Sequence, residues 1–189
     1  HGLSSLPDGT LWFGGDDGAF GFRPGHPGVT HLRREQGLPS NHVTDVFQDS
    51  QGRLWIGTYG MGVYCYDTTR ARIYRKAQGL PGERINCLEV SADGALWVGT
   101  EQGLVVYREN QFIPVVGIDK RDIATSLLFD KRQRLWIGTR NGRLYAFDKG
   151  EAEQFLIQSQ VEGHRINSLV EDREGRIWFG CRYGKGFGY

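Results

Sequence analysis

Residues 37–67, GLPSNHVTDVFQDSQGRLWIGTYGMGVYCYD, are answered at 79–109 by GLPGERINCLEVSADGALWVGTEQGLVVYRE. The kinship runs along the whole chain. All five tryptophans stand in one short motif: TLWFGG around Trp12, RLWIGT around Trp55, ALWVGT around Trp97, RLWIGT around Trp136 and RIWFGC around Trp178. They are 43, 42, 39 and 42 residues apart, and a period of about 40–45 residues is the length of one four-stranded propeller blade. A leucine-rich repeat needs a unit of about 20–29 residues, and a parallel solenoid has a shorter one and no antiparallel hairpins.

One unit carries the pattern in detail. VTDVFQD (43–49) is rich in β-branched and aromatic residues and ends in the turn cluster SQG, which makes it strand a. RLWIGT (53–58) is an apolar run without strict alternation, as suits a strand buried on both faces, and is strand b. After YGMG, VYCYD makes strand c, and after TTRA, RIYRKA (72–77) makes strand d. No stretch sustains a 3.6-residue apolar period with caps, so helices are expected to be few or absent. The glycine of WIGT and WVGT calls for a surface that comes very close to the strand, and a neighbouring blade supplies one. Trp12, Trp55, Trp97, Trp136 and Trp178 are then read as interblade packing, each burying ~150–250 Å². That area is worth ~4–6 kcal/mol per ring.

The fold class expected is therefore all-β, a β-propeller of four-stranded antiparallel blades. About five blades fall at 1–37, 38–78, 79–117, 118–158 and 159–189, the first and last incomplete. Composition narrows the function. The 23 basic and 22 acidic residues leave a net charge of +1, so no global field draws the chain to nucleic acid or to an anionic membrane. Cys65, Cys87 and Cys181 are scattered, with neither zinc spacing nor a disulfide framework. No apolar run approaches the roughly 18 residues that cross a bilayer, and HGLSSLPDGT lacks the basic and apolar regions of a signal peptide. Glycine, 28 of 189 residues, is at about twice its usual share, which implies many tight turns.

The GLP opening, the a-to-b hairpin with its aspartate and glycine, and the LWIGT strand recur together in order. They resemble the two-component regulator propeller repeat, the unit of the extracytoplasmic sensor propellers of bacterial hybrid histidine kinases and related receptors. The resemblance implies a propeller of seven blades. With both end units incomplete, this chain is expected to be an excerpt of a larger propeller or to complete its ring through another copy, a closed five-blade ring being the remaining alternative. The resemblance also implies a periplasmic or extracellular location in a membrane-anchored receptor. Two units depart from the pattern. Gln133 stands where the others have the hairpin glycine, and Cys181 replaces the threonine that follows the strand b glycine, so the loops of those blades are expected to differ.

In such a propeller strand a lines the central channel, while the d-to-a and b-to-c loops surround its mouth. Aligned units bring Asn41 and His42, Glu83 and Arg84, Arg121 and Asp122, and His164 and Arg165 to the approach to strand a. The b-to-c turns add Asp16 and Asp17, Tyr59 and Met61, Glu101 and Gln102, Arg140 and Asn141, and Arg182 and Tyr183. Varied polar groups on a constant apolar scaffold mark a binding site. The candidate ligand-binding residues are His42, Tyr59, Arg84, Glu101, Arg140, His164, Arg165, Arg182 and Tyr183. Asp49, Asp93, Asp130 and Asp172 are assigned to the hairpins.

GxSxG, HExxH and P-loop motifs are absent. GMG (60–62) and GKGFG (184–188) are glycine-rich, but neither opens a helix as a phosphate cradle must. No catalytic residue, metal or cofactor is assigned. The expected function is ligand sensing without chemistry, the ligand an oligosaccharide or other small molecule, with a homodimer formed through propeller surfaces or blade edges. A protein-interaction scaffold is the alternative. A third reading rests on PDGTLWFGG (7–15), which is similar to the repeated words of the streptogramin lyase propellers, although no local motif matches their catalytic residues.

Overall fold

The computed structural model describes residues 3–5, 9–49, 51–67, 70–119, 121–148, 151–155, 163–181 and 187–188. Five antiparallel sheets follow one another along the chain. The first holds β1 (Leu3–Ser5), β2 (Leu11–Gly15), β3 (Gly18–Phe22) and β4 (Val29–Leu32). The second holds β5 (Val43–Gln48), β6 (Leu54–Thr58), β7 (Val63–Tyr66) and β8 (Ala71–Tyr74). The third holds β9 (Ile85–Val90), β10 (Leu96–Thr100), β11 (Gly103–Arg108) and β12 (Gln111–Pro114), and the fourth β13 (Ala124–Phe129), β14 (Leu135–Thr139), β15 (Leu144–Asp148) and β16 (Glu151–Phe155). The fifth consists of β17 (Ile166–Glu171), β18 (Ile177–Cys181) and β19 (Phe187–Gly188). Each strand pairs only with its chain neighbours. The inner strands pack in series, β1 and β2 on β5, β5 on β9, β9 on β13 and β13 on β17. Successive blades stacked through their first strands make the β-propeller the repeat calls for.

The core lies between the sheets. Trp55 of the second sheet sits in one cluster with Leu88, Leu96, Val98 and Val105 of the third. Trp97 packs on Leu127, Leu135, Ile137 and Tyr145, and Trp136 on Ile166, Ile177 and Phe179. Each ring thus caps the sheet that follows it. The middle strands β6, β10 and β14 are buried along their whole length. Their glycines are required by the close approach. A Cβ on Gly57 would stand 2.7 Å from Ile85 Cγ2, and one on Gly138 would stand 2.5 Å from Ile166 Cγ2. Leu38 and Leu80, the leucines of the two GLP words, are buried in the clusters on either side of the second sheet.

Strand d is shorter than the sequence suggests. The chain leaves β8 at Tyr74 and makes a 3-10 turn over Lys76–Gln78. Gln78 Oε1 accepts a hydrogen bond from Arg75 N at 3.0 Å, and Gly79 closes the turn at φ 98°. The same device stands at Arg34–Gln36, with Gln36 on Arg33 N and Gly37 at φ 95°. The glutamine satisfies an amide at the start of the turn, and the glycine takes the left-handed conformation that ends it. These two turns are the only helical segments among the described residues.

The a-to-b hairpin aspartates do more than form turns. Asp49 accepts bonds from Gln51 N (2.9 Å), Arg53 N (3.0 Å), Arg53 Nε (2.7 Å) and Trp55 Nε1 (2.8 Å). Asp130 does the same with Arg132 N, Arg134 and Trp136, and Asp172 with Arg176 and Trp178. In all three the arginine also lies over the indole, 5.2–5.7 Å from the ring centre. The third sheet has Ser91 and Ala95 in these places, and Trp97 Nε1 is buried without a hydrogen-bond partner. Asp93 sits two residues later than the other three and bonds Ser91 and Arg108 instead.

Gln133 does not change its hairpin. It adopts φ 63°, close to the 79°, 83° and 82° of Gly52, Gly94 and Gly175 at the same place. The loop keeps its shape because the bonds of Asp130 hold it.

Candidate functional site

Every inner strand from β5 onward carries a bulge just after its first residue. The register skips between Val43 and Asp45, Ile85 and Cys87, Ala124 and Ser126, and Ile166 and Ser168. A bulge leaves one residue unpaired and turns its side chain away from the regular alternation. The extra residues are Thr44, Asn86, Thr125 and Asn167, and all four line one cavity of about 890 Å³ along the inner strands. Two of them tie adjacent blades together. Asn86 Nδ2 donates to Ala124 O at 3.1 Å, and Thr125 Oγ1 donates to Ile166 O at 2.6 Å. Thr44 Oγ1 is buried and has no hydrogen-bond partner.

The groove also contains two carboxyl groups that the motif reading did not single out. Asp45 of β5 accepts bonds from Val46 N (2.9 Å) and, across the blade junction, Leu88 N (2.7 Å). Burial nonetheless pushes its carboxyl up to about 6. Glu89 of β9 accepts from Val90 N at 3.0 Å, and burial, helped by the Asp45 charge, raises it to about 7. Burial lifts the Cys87 thiol, which lies between them in sequence, well above its usual range. A signal for these groups was present in the repeat. Eight residues before the five tryptophans stand Ser4, Phe47, Glu89, Leu128 and Val170, so a carboxylate occupies a place that is uncharged in every other unit.

At the mouth of the groove the loops are knitted by backbone bonds. Tyr59 N donates to His42 O, Glu101 N to Arg84 O and Arg140 N to Ile123 O. Gly60 N and Gly62 N donate to Glu83 O, and Gly163 N donates to Asn141 O, in each case joining one blade to the next. On this frame stands a row of side chains from three sheets. His42 Nε2 is 3.1 Å from Asp16 Oδ1, and the His42 ring stacks on Tyr59 at 4.7 Å. The Arg84 guanidinium lies 4.0 Å from the Tyr59 ring centre, and Arg84 N donates to Glu101 Oε2 at 2.9 Å. Tyr59 keeps 45% of its surface exposed.

Four of the candidate residues, His42, Tyr59, Arg84 and Glu101, are therefore brought together, and Asp16 joins them. Arg165 lines the groove. Arg140 and His164, on the fourth and fifth sheets, share no hydrogen bond or ion pair with the row among the described residues. Arg182 and Tyr183 lie outside the described residues. One pairing needs correction. The residues equivalent to Asn41 and His42 in the fourth sheet are Asp122 and Ile123, one place later than the sequence alignment put them. Asp122 is buried and bonds Asn141, Arg143 and Tyr145, so it braces the loop and does not face the mouth. The shorter 39-residue spacing of this unit caused the slip. Among the described residues no three of His, Cys, Asp and Glu come together as a metal-binding set.

The fold has clear relatives. The sequence model of the two component regulator propeller matches residues 37–60, 79–102 and 160–183. No curated protein matches the chain. Among solved structures, the extracellular domain assigned to hybrid two component system BT3049 of B. thetaiotaomicron superposes with a TM-score of 0.80 at 23% identity. It is covered over 98% of this chain and 26% of its own length. The corresponding domain of BT4673 from the same organism gives 0.77 at 23% identity, with coverages of 99% and 26%. Virginiamycin B lyase from Staphylococcus aureus gives 0.75 at 14% identity, over 95% of this chain and 62% of the enzyme. The chain thus spans about a quarter of the two receptor domains it resembles. Three of its repeats match the two component regulator propeller model, and the chain shares the β-propeller fold of these structures.

Proposed function

We propose that the chain is the ligand-sensing part of a bacterial signal-transduction receptor, working outside the cytoplasm and performing no chemistry of its own. The observation that carries this reading is the convergence of Asp16, His42, Tyr59, Arg84 and Glu101, from three successive sheets, at the mouth of a polar groove. A stacked aromatic row edged with charge suits a hydroxylated ligand such as an oligosaccharide, whose ring faces pack on aromatic groups and whose hydroxyls bond the charged neighbours. The repeat type and the likeness to receptor extracellular domains support the sensing role. A bound ligand would favour one arrangement of the receptor over another, and later domains would report the shift.

Thermal melts with a panel of neutral and uronate-containing oligosaccharides test the reading. A ligand at a hundred times its dissociation constant adds about 2.7 kcal/mol, which for a chain of this size is about 5–10 °C. Tyr59→Ala and Arg84→Ala should abolish the shift. A flat response across the panel, together with a dimer of fixed stoichiometry, would instead favour a protein-interaction scaffold.

A further inference from the structure

Among the described residues neither Asp45 nor Glu89 takes part in an ion pair, although the chain forms many such pairs elsewhere on its surface. Their hydrogen bonds are equally incomplete. A carboxylate can accept about four, whereas Asp45 accepts two and Glu89 one, all from backbone amides. The bond from Leu88 N to Asp45 binds β5 to the residue just before Glu89, so the two carboxyls are held on neighbouring inner strands of the same groove. The bulge at Thr44 lets consecutive residues Thr44 and Asp45 both line that groove. Thr44 Oγ1 adds a third acceptor, buried and without a partner.

We propose that this groove binds a small ligand through a primary ammonium group held by Asp45, Glu89 and Thr44. An ammonium carries three N–H donors and one positive charge, which matches three acceptors with unfilled capacity, two of them carboxyls outside any ion pair among the described residues. The proposal rests on the reading of the chain as a ligand sensor and narrows the class of ligand. An amino sugar and an aliphatic diamine both present this chemistry. The raised carboxyls supply a signature. A cation seated between them favours their ionised forms, so binding expels protons near pH 6.5 and tightens as pH rises from about 5 to 7.5. The other titratable or charged groups facing the groove are Cys87 on β9, Arg165 before β17, and Asp16, His42 and Tyr59 at the mouth.

Titration calorimetry and thermal melts of the chain with glucosamine, N-acetylglucosamine, glucose and putrescine decide the matter. Glucosamine is expected to bind and raise the melting temperature, with a heat that depends on the ionisation enthalpy of the buffer. N-acetylglucosamine and glucose should bind at least tenfold more weakly. Putrescine binding as well as glucosamine would assign the site to amines in general, and weaker binding would assign it to amino sugars. Glu89→Gln, nearly isosteric, should weaken binding by about ten- to a hundredfold, the worth of a hydrogen bond to a charged group. Asp45→Asn, which keeps an acceptor for Leu88 N, should do the same. The proposal fails if neither amine binds, if the acetylated sugar binds as tightly as the free amine, or if both variants bind like the parent. Binding of a neutral sugar without the amine would overturn it while leaving the sensing role in place.

Discussion

Giving the third sheet the carboxylate and arginine that three other sheets possess is expected to stabilise the protein. The double substitution Ser91→Asp with Ala95→Arg places an acceptor six residues before Trp97 and a guanidinium two residues before it, as at Asp49, Arg53 and Trp55. The indole N–H of Trp97 is buried without a partner, a state that costs about 1–3 kcal/mol. The arginine over the ring adds about 0.5–1 kcal/mol. Against these stand the ordering of a long side chain, up to about 2 kcal/mol, and the loss of the Ser91 hydroxyl bonds to Ala95 O and Asp93. The expected net gain is about 1–2 kcal/mol, which at about 2–4 °C per kcal/mol for this chain length raises the melting temperature by about 2–8 °C.

Calorimetry or urea unfolding reads the effect, the urea midpoint moving with the slope unchanged. Two further variants separate its sources. Ser91→Asp alone should recover part of the gain, since the carboxylate reaches the indole without its arginine. Asp49→Ser with Arg53→Ala, the reverse exchange, orphans Trp55 Nε1 and should cost about 2–4 kcal/mol. A double variant that melts at or below the parent temperature would refute the idea that the missing partner weakens the third sheet.

Three other outcomes follow from the same structure. Gln133→Gly should stabilise by about 0.5–1 kcal/mol in chemical denaturation, because a left-handed residue with a side chain is strained, the gain being trimmed by the loss of the Gln133 Oε1 bond from Ala92 N. Gly138→Ala should lower stability by about 1–3 kcal/mol, since its Cβ would collide with Ser126 Oγ and Ile166 Cγ2 on the inner strands. The third concerns pH. Burial raises Glu89 to about 7, so its contribution is full below its unfolded value near 4.5 and is lost as pH rises through 7. Glu89→Gln should therefore raise stability by about 1–3 kcal/mol at pH 8 and change little at pH 4. Burial tends to raise Asp130, but the bonds from Trp136 and Arg134 outweigh it and hold the carboxyl low, so this group withdraws its support only as pH falls below about 4.

The sequence discloses what the repeat holds constant. Tryptophan spacing gives the blades, the WIGT glycine announces the close approach of Ile85 or Ile166, and GLP marks a buried leucine after a left-handed glycine. Tyr74 ends its strand early because Gln78 and Gly79 favour a turn that the β-rich pattern of RIYRKA conceals. Asp122, and not Arg121, stands opposite Asn41 because the shortening of this unit lies in the loop ahead of β13, while the distance from strand to tryptophan is unchanged. Asp45 and Glu89 escaped notice for a different reason. A search for known catalytic words does not see a charge that is unusual only by comparison with the same place in other blades. The stacked row of His42, Tyr59 and Arg84 could be suspected residue by residue, but its contacts cross blade junctions that no local pattern encodes.

How a rigid scaffold carries a variable site can be read from the approach to each inner strand. The first residue of the strand, Val43, Ile85, Ala124 or Ile166, is buried beneath the glycine of the preceding blade and cannot change freely. The residue before it is His42, Arg84, Ile123 or Arg165, four side chains with little in common. In three sheets its carbonyl nevertheless accepts the same bond from the b-to-c turn, given by Tyr59, Glu101 or Arg140. The loop is held by backbone, so most of the side chains on these partners are released from structural duty, Glu101, whose carboxylate accepts from Arg84 N, being the exception. The bulge one residue further on acts similarly inside the groove, fixing the direction of Thr44, Asn86, Thr125 and Asn167 while leaving their identity open. A propeller built this way can change the side chains it presents at the mouth and on the inner strands by a few exchanges. The stacked cores between its blades, where most of the burial lies, need not move when it does.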